Sequence, residues 1–221
     1  MIDLYDVVAY DDRRSAYEEV QVAEAAEAEP KSAFDYYSRG NAYYDKGELD
    51  KAIVDYTKTI ELKFNLPQAY YNRGLVYANK GDVARAIADF DKAIELRPDY
   101  AEAYAVRGAA YGEEGELAKA IADFDEAIDL RPYFAQAYLN RGNAYLEKDE
   151  FDKAIADFDK AIDLRPDDAD AYKSRGAAYG EKDDLARAIA DFDKALELKP
   201  DLAGAYENRG VALDALNKKR Q

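Results

Sequence analysis

Any acid–base chemistry in this chain would have to come from its carboxylates. Asp89 and Asp91 typify them, acids two residues apart that recur at the same place in stretch after stretch. Paired carboxylates are the machinery of glycoside hydrolysis, but residues two apart on a helix point to different faces. Their repetition along the chain reads as scaffold chemistry. A hard-cation site built from Asp and Glu would need spacing of the EF-hand kind, and none occurs. There is no histidine, which removes the commonest general base and metal ligand. There is also no cysteine, hence no disulfide, thiolate metal site or cysteine nucleophile. Neither catalysis nor a cofactor is expected.

The charge balance narrows the partners. With 47 acids against 31 bases the formal net charge is -16. Phosphate binding rests on Lys and Arg, so nucleic acid and anionic membrane surfaces are disfavoured. The start, Met1-Ile2-Asp3-Leu4-Tyr5-Asp6, has no basic region and no apolar stretch behind it, unlike a secretory signal. No run approaches the roughly 18 apolar residues of a membrane span. A soluble, cytoplasmic protein is the expectation. Its 221 residues, 48% of them hydrophobic, suffice for a substantial core.

What positions the side chains is an internal period. Arg-Gly occurs at residues 39–40, 73–74, 107–108, 141–142, 175–176 and 209–210, each 34 residues after the last. A Tyr stands four before each Gly (Tyr36, Tyr70, Tyr104, Tyr138, Tyr172, Tyr206), and another three after it from Tyr43 to Tyr179. Ala52, Ala86, Ala120, Ala154 and Ala188 keep the phase, each followed four residues on by Tyr56, Phe90, Phe124, Phe158 or Phe192. Pro98, Pro132, Pro166 and Pro200 close four of the units.

Within residues 101–134, Tyr104, Gly108 and Tyr111 fall on one face of a first helix. Ala120, Phe124, Ala127 and Ile128 do the same on a second, both at helical spacing. Small Gly108 and Ala120 allow close approach, Gly115 suits the stop between helices, and Pro132 ends the second helix. Asp99, Asp167 and Asp201 stand where they could cap the following first helices. A lone hairpin cannot hide both apolar faces, so stacked copies forming a solenoid are expected. Each Arg before Gly needs an acidic partner or a route to water; Asp55, Asp89, Asp123, Asp157 and Asp191, one per unit, are the candidates.

These residues resemble the tetratricopeptide repeat family, whose pattern is Trp-x2-Leu-Gly-x2-Tyr, then Ala-x3-Phe, then Pro. Here it reads Tyr104-x2-Arg107-Gly108-x2-Tyr111, Ala120-x3-Phe124 and Pro132. Tyr replaces Trp, Arg replaces Leu, and Phe64 stands where the first unit should have Pro, with Pro67 opening the next. The resemblance implies an all-α, right-handed superhelical solenoid of antiparallel helix hairpins. It divides the chain into residues 1–32, an N-terminal cap or degenerate repeat; 33–202, five 34-residue units; and 203–221, a C-terminal capping helix. Ser15-x-x-Glu18 is a capping-box signature, and Pro30 is in phase, so residues 15–29 read as the second helix of the degenerate repeat. Residues 2–12, with Tyr5, Val8 and Ala9 on one face, read as its first helix. That segment either shields the solenoid end or docks into the groove.

In this family the first helices line a concave groove that receives a peptide or helix. Carried onto this chain, the groove positions gather Phe34, Tyr37, Tyr44, Tyr71 and Leu75 toward the N-terminal end, with Leu139 and Leu146 in the middle and small Ala105, Ala109 and Gly112 between them. Asn41, Asn79 and Asn143, with nearby Asn72 and Asn140, can hydrogen-bond a peptide backbone in either sense. The acids there include Glu102, Glu113, Glu147 and Glu181, and Lys173 is the only base. A basic segment with an aromatic or aliphatic anchor is the implied ligand; the bland alternative is that these acids merely solvate a helix face. Chaperone-binding members clamp a C-terminal carboxylate with two Asn and several Lys or Arg. Asn41 and Asn72 match two clamp positions, but Tyr37, Glu102 and Val106 stand where the cations should be. The expected function is a protein- or peptide-binding adaptor. A self-associating structural scaffold, or a consensus-like array with no dedicated ligand, are the alternatives.

Overall fold

The computed structural model describes residues 30–63 and 65–220. The expectations for residues 1–29 and Phe64 lie outside them. The described residues form eleven α-helices and no strand. They fall into two compact units, 30–130 and 131–220.

In residues 30–130 the helices are α1 (Ala33–Asp45), α2 (Leu49–Leu62), α3 (Pro67–Asn79), α4 (Val83–Leu96), α5 (Ala101–Glu113) and α6 (Leu117–Leu130). In residues 131–220 they are α7 (Ala135–Glu147), α8 (Phe151–Leu164), α9 (Ala169–Glu181), α10 (Leu185–Leu198) and α11 (Ala205–Lys219). Each odd-numbered first helix through α9 packs on the second helix that follows it. Within each unit, second helices also pack on the next first helix, as α2 on α3, α4 on α5, α8 on α9 and α10 on α11. This is the hairpin stacking of a helical solenoid.

The 34-residue period is a packing rule. Ala52, Ala86, Ala120, Ala154 and Ala188 are fully buried, and Tyr56, Phe90, Phe124, Phe158 and Phe192 are at most 2% exposed. Each such ring contributes about 1.5–3 kcal/mol by leaving water. The glycine opposite is a steric requirement: a Cβ at Gly74 would stand 2.6 Å from the Phe90 ring, and one at Gly142 2.6 Å from Phe158.

Turns and caps obey local chemistry. The hairpin turns need a residue with positive φ, supplied by Gly47, Gly81 and Gly115 in one unit. In the other, Asp149 (φ 59°) and Asp183 (φ 62°) take that place, a conformation Asp tolerates better than most residues. Arg97 and Arg165, each before a proline, are extended, as a residue before proline must be. Lys63 keeps the same extended stop without a following proline. Pro67 sits in the first turn of α3, where its missing N–H costs nothing. Ser32 and Asp35 form a capping box on α1. The capping expectation needs correction: Tyr100 and Gly204 hold the N-cap positions of α5 and α11, and Asp168 rather than Asp167 caps α9 by accepting from the Ala171 N–H.

The arginine ladder forms as expected. Arg39, Arg73, Arg107, Arg141 and Arg175 each donate from Nε and Nη2 to the two oxygens of the Asp sixteen residues on, at 2.7–2.9 Å. Bidentate pairing satisfies a carboxylate that is only 1–7% exposed, the geometry in which such a pair is strongest. Arg107 also lies 5.5 Å from the Tyr104 ring centroid and 5.9 Å from that of Tyr111, so its stem and charge fill the place of the family's Leu. Burial lowers the Arg107 pKa, but its bonds to Asp123 and Asp91 outweigh that and raise it. Burial also pushes the Asp123 carboxyl up while Arg107 pulls it down, and burial prevails.

Candidate functional site

The carboxylate pairs are divided between arginines rather than gathered into a site. Asp89 accepts from Arg73, whereas Asp91 accepts from Arg107 Nη1 at 2.6 Å. Asp159 serves Arg175 in the same way at 2.6 Å, and Asp193 bonds Arg209. These acids tie one hairpin to the next. No cluster of three or more metal-ligating side chains occurs among the described residues.

The remaining candidates lie on the first helices. In residues 30–130, four polar side chains join into one network across α1, α2 and α3. Asn41 Oδ1 accepts from the Tyr56 hydroxyl at 2.8 Å and from Asn72 Nδ2 at 2.9 Å. Asn72 Nδ2 also donates to the Tyr37 hydroxyl at 3.0 Å. Two turns along, Asn79 Nδ2 donates to the Tyr44 hydroxyl at 2.9 Å. Burial pushes the Tyr56 hydroxyl far above its ordinary value, so it remains a donor. Tyr71 packs 4.9 Å from Tyr100 and 6.1 Å from Phe90, centroid to centroid. The Arg97 guanidinium lies over Tyr100. Phe34 is 75% exposed at the start of α1. Glu102 is half-buried and Glu113 exposed. The structure therefore brings together Tyr37, Asn41, Tyr44, Asn72 and Asn79, with Phe34 and Tyr71 on the same set of helices.

Three expected groove residues are corrected by burial. Leu75 (5% exposed), Leu139 (4%) and Asn140 (2%) are buried. Ala105 and Ala109 are fully buried as well, so they leave no room on the face.

In residues 131–220 the same positions are occupied differently. Leu139 packs with Ala154, Phe158 and Ala171. Asn140 Oδ1 accepts from Gln136 Nε2 at 3.2 Å, and Gln136 Oε1 accepts from Arg165 Nη2 at 2.7 Å. Arg165 also pairs with Asp168 at 2.8 Å. Lys173 is bonded to Asp170 at 2.6 Å. Asn143 is half-buried, and Glu147 and Glu181 are exposed.

Sequence reasoning missed Tyr56, Tyr100, Arg97, Gln136 and Arg165 as parts of these faces. For Tyr56 a signal existed: it is the one Tyr where four other units have Phe, and a buried phenol needs a partner.

Helix hairpins stapled by Arg–Asp pairs and presenting tyrosine and asparagine side chains define an α-helical repeat scaffold. Family models described as tetratricopeptide repeat or TPR repeat match residues 40–81, 67–100, 90–122, 108–149, 142–183 and 169–202. The chain belongs to the tetratricopeptide repeat family. Among solved structures, it is similar to the MamA protein, with 32% identity and TM-score 0.69 over 77% of this chain and 96% of that one. A MamA from Desulfovibrio magneticus RS-1 aligns with 27% identity and TM-score 0.72, over 80% of this chain and 100% of that one. YrrB, described as a TPR protein with an unusual peptide-binding site, shares the fold at 23% identity and TM-score 0.66, over 94% of this chain and 99% of that one. No curated protein sequence matches the chain. The family assignment supports a protein-interaction scaffold.

Proposed function

We infer that the chain is an adaptor that binds a basic protein segment with an apolar anchor on the first-helix face of residues 30–130. Proteins of this family are generally non-enzymatic scaffolds, and YrrB is an instance of the fold carrying a peptide-binding site. The observation that carries the reading is the bonded network of Tyr37, Asn41, Tyr56 and Asn72 beside exposed Phe34. Hydroxyls and amides fixed in this way present a preorganised surface, so a ligand meets little cost of ordering side chains. Phe34 and Tyr71 offer aromatic area of the kind that dominates peptide hot spots. Glu102 and Glu113, with a net charge of -16 on the chain, steer a cationic ligand and disfavour an anionic one. The absence of cations at the carboxylate-clamp positions argues for the same preference.

Selection from a random peptide library on the immobilised protein, against a Tyr71→Ala/Glu102→Lys surface, tests the reading. Basic, apolar-anchored peptides should be enriched on the native surface alone. Equal enrichment on both surfaces would reject this face.

A further inference from the structure

Arg97 and Arg165 occupy the same repeat position, two repeats apart. Each is the C-cap of a second helix, α4 or α8, on nearly the same backbone: φ -141° and ψ 88° for Arg97, φ -137° and ψ 87° for Arg165. The two side chains thus start from equivalent places, but they meet different partners. Arg165 has a carboxylate and an amide, its Nη2 lying 2.8 Å from Asp168 Oδ2 and 2.7 Å from Gln136 Oε1. In the earlier hairpin Tyr100 stands at the place of Asp168, and Gln68 at that of Gln136. Arg97 bonds neither Gln68 nor any carboxylate among the described residues.

Its guanidinium carbon lies instead 3.2 Å from the centre of the Tyr100 ring. At that distance the group must lie flat on the ring, because an N–H turned toward the ring would collide with it. The ring attracts the cation, yet the N–H donors point sideways in the guanidinium plane and the ring accepts none of them. Tyr100 is itself stacked on Tyr71, at 4.9 Å and 33°, so the plane is fixed from behind. Arg97 Nε is buried without a partner, while the residue as a whole is only half-buried. The Nη groups are what a ligand can reach.

The stack borders the network of Tyr37, Asn41, Tyr56 and Asn72. Burial raises the Tyr100 hydroxyl above its ordinary value, Arg97 opposes the rise, and Glu102 and Tyr37 add to it, so these side chains lie within electrostatic reach of one another. Tyr37 accepts from Asn72. Arg97, at the end of a second helix, is not one of the first-helix clamp positions, which hold Tyr37, Glu102 and Val106.

We propose that Arg97 takes the side-chain carboxylate of an acidic residue in the bound segment, which supplies what Asp168 supplies to Arg165. This site rests on the adaptor reading and narrows its ligand to a segment that is basic overall, with one Asp or Glu beside its apolar anchor. Glu102 and Glu113 draw the cations, and the single acid fixes where along the face the segment stops. A planar guanidinium selects a carboxylate through charge-assisted, two-pronged bonds, which the neighbouring phenols and amides cannot match.

A double-mutant cycle tests the site. Library peptides with both ends blocked, which excludes a terminal carboxylate, are selected on the native protein. An Asp or Glu should recur at a fixed distance from the anchor. Converting that acid to its amide should weaken binding to the native protein roughly tenfold or more, and binding to Arg97→Gln less than about twofold. Arg97→Lys keeps the charge but not the fork and should recover only part of the difference. Peptides with no shared acid, or an acid whose loss costs the same in both proteins, would overturn the site and leave the adaptor reading standing. A second readout needs no peptide. Sodium propionate, which mimics the glutamate side chain, should shift the Arg97 Nε–H resonance more than sodium chloride at equal ionic strength, the resonance being identified by its loss in Arg97→Gln. Equal shifts from the two salts would overturn the site. A shift specific to propionate with no peptide enriched would uphold Arg97 as a carboxylate receptor and reject the basic segment as its ligand.

Discussion

In residues 30–130, the first-helix face carries tyrosine hydroxyls held by Asn41, Asn72 and Asn79, with Phe34 in solvent. In residues 131–220 the corresponding positions hold Leu139 in the core and Asn140 and Gln136 in a buried chain of bonds ending on Arg165. Beneath both faces lies one frame, Gly against an aromatic ring and Arg clasping Asp, with nearly identical distances. The frame residues determine that hairpins stack. The residues between them determine what each face can hold, and among the described residues the aromatic, hydrogen-bonded network of Tyr37, Asn41, Tyr56 and Asn72 lies in the first unit.

If the frame is common, damage to it should cost the same in either unit. Phe124→Ala and Phe158→Ala each empty a fully buried site and should destabilise by about 3–5 kcal/mol. Urea unfolding checks this, and a gap of more than ~2 kcal/mol between them would break the equivalence. Asp89→Ala and Asp157→Ala come next. Each removes the bidentate carboxylate partner of an arginine whose side chain is 17–18% exposed, so partial access to water should hold the loss to about 2–3 kcal/mol, again alike in both.

Tyr56→Phe sharpens the contrast. It removes the donor to Asn41 without emptying the core, and should cost about 1 kcal/mol. It should also weaken peptide binding several-fold, because Asn41 Oδ1 is then held by Asn72 alone. The matching hydroxyl is absent from residues 131–220, where Phe158 and Phe192 stand in its place, so no corresponding substitution exists there.

The smallest effect is on pH dependence. Side-chain bonds from Arg85 and Arg187 hold the capping carboxyls of Asp82 and Asp184 below their ordinary value of 3.8, one in each unit. Folded-state values below the unfolded ones contribute stability above pH 3.8 that is lost as pH falls through the lowered values. Both carboxyls are only half-buried, so solvent screens them, and buried Asp123, whose pKa is raised, acts with opposite sign. A shallow decline in melting temperature below pH 4 is expected of the native chain, and Asp82→Asn and Asp184→Asn, which remove a titrating carboxyl, should each flatten it by the same small amount. Flattening confined to one variant would show that the caps are not equivalent.

The frame was legible because it is periodic. Six Arg-Gly pairs and five Ala-x3-aromatic pairs locate every described helix, and the acid sixteen residues after each ladder Arg identifies its partner. The face was only partly legible. Helical position says that Leu75 and Leu139 point inward from a first helix, but not that neighbouring helices lie close enough to cover them; that depends on three-dimensional spacing. Asn72 and Asn79 reach Tyr37 and Tyr44 across 35 residues of chain, a pairing no local pattern encodes. The cap of α9 shifted by one residue, from Asp167 to Asp168, because adjacent acids compete for one position and backbone geometry decides.

The most direct test is a titration of a library-selected basic peptide against two variants, Phe34→Ala in the first unit and Glu181→Lys in the second. If residues 30–130 hold the ligand, Phe34→Ala should weaken binding about tenfold or more, and Glu181→Lys should change it less than threefold through long-range charge alone. Binding indifferent to Phe34 but lost with Glu181→Lys would place the ligand in the other unit and contradict this account.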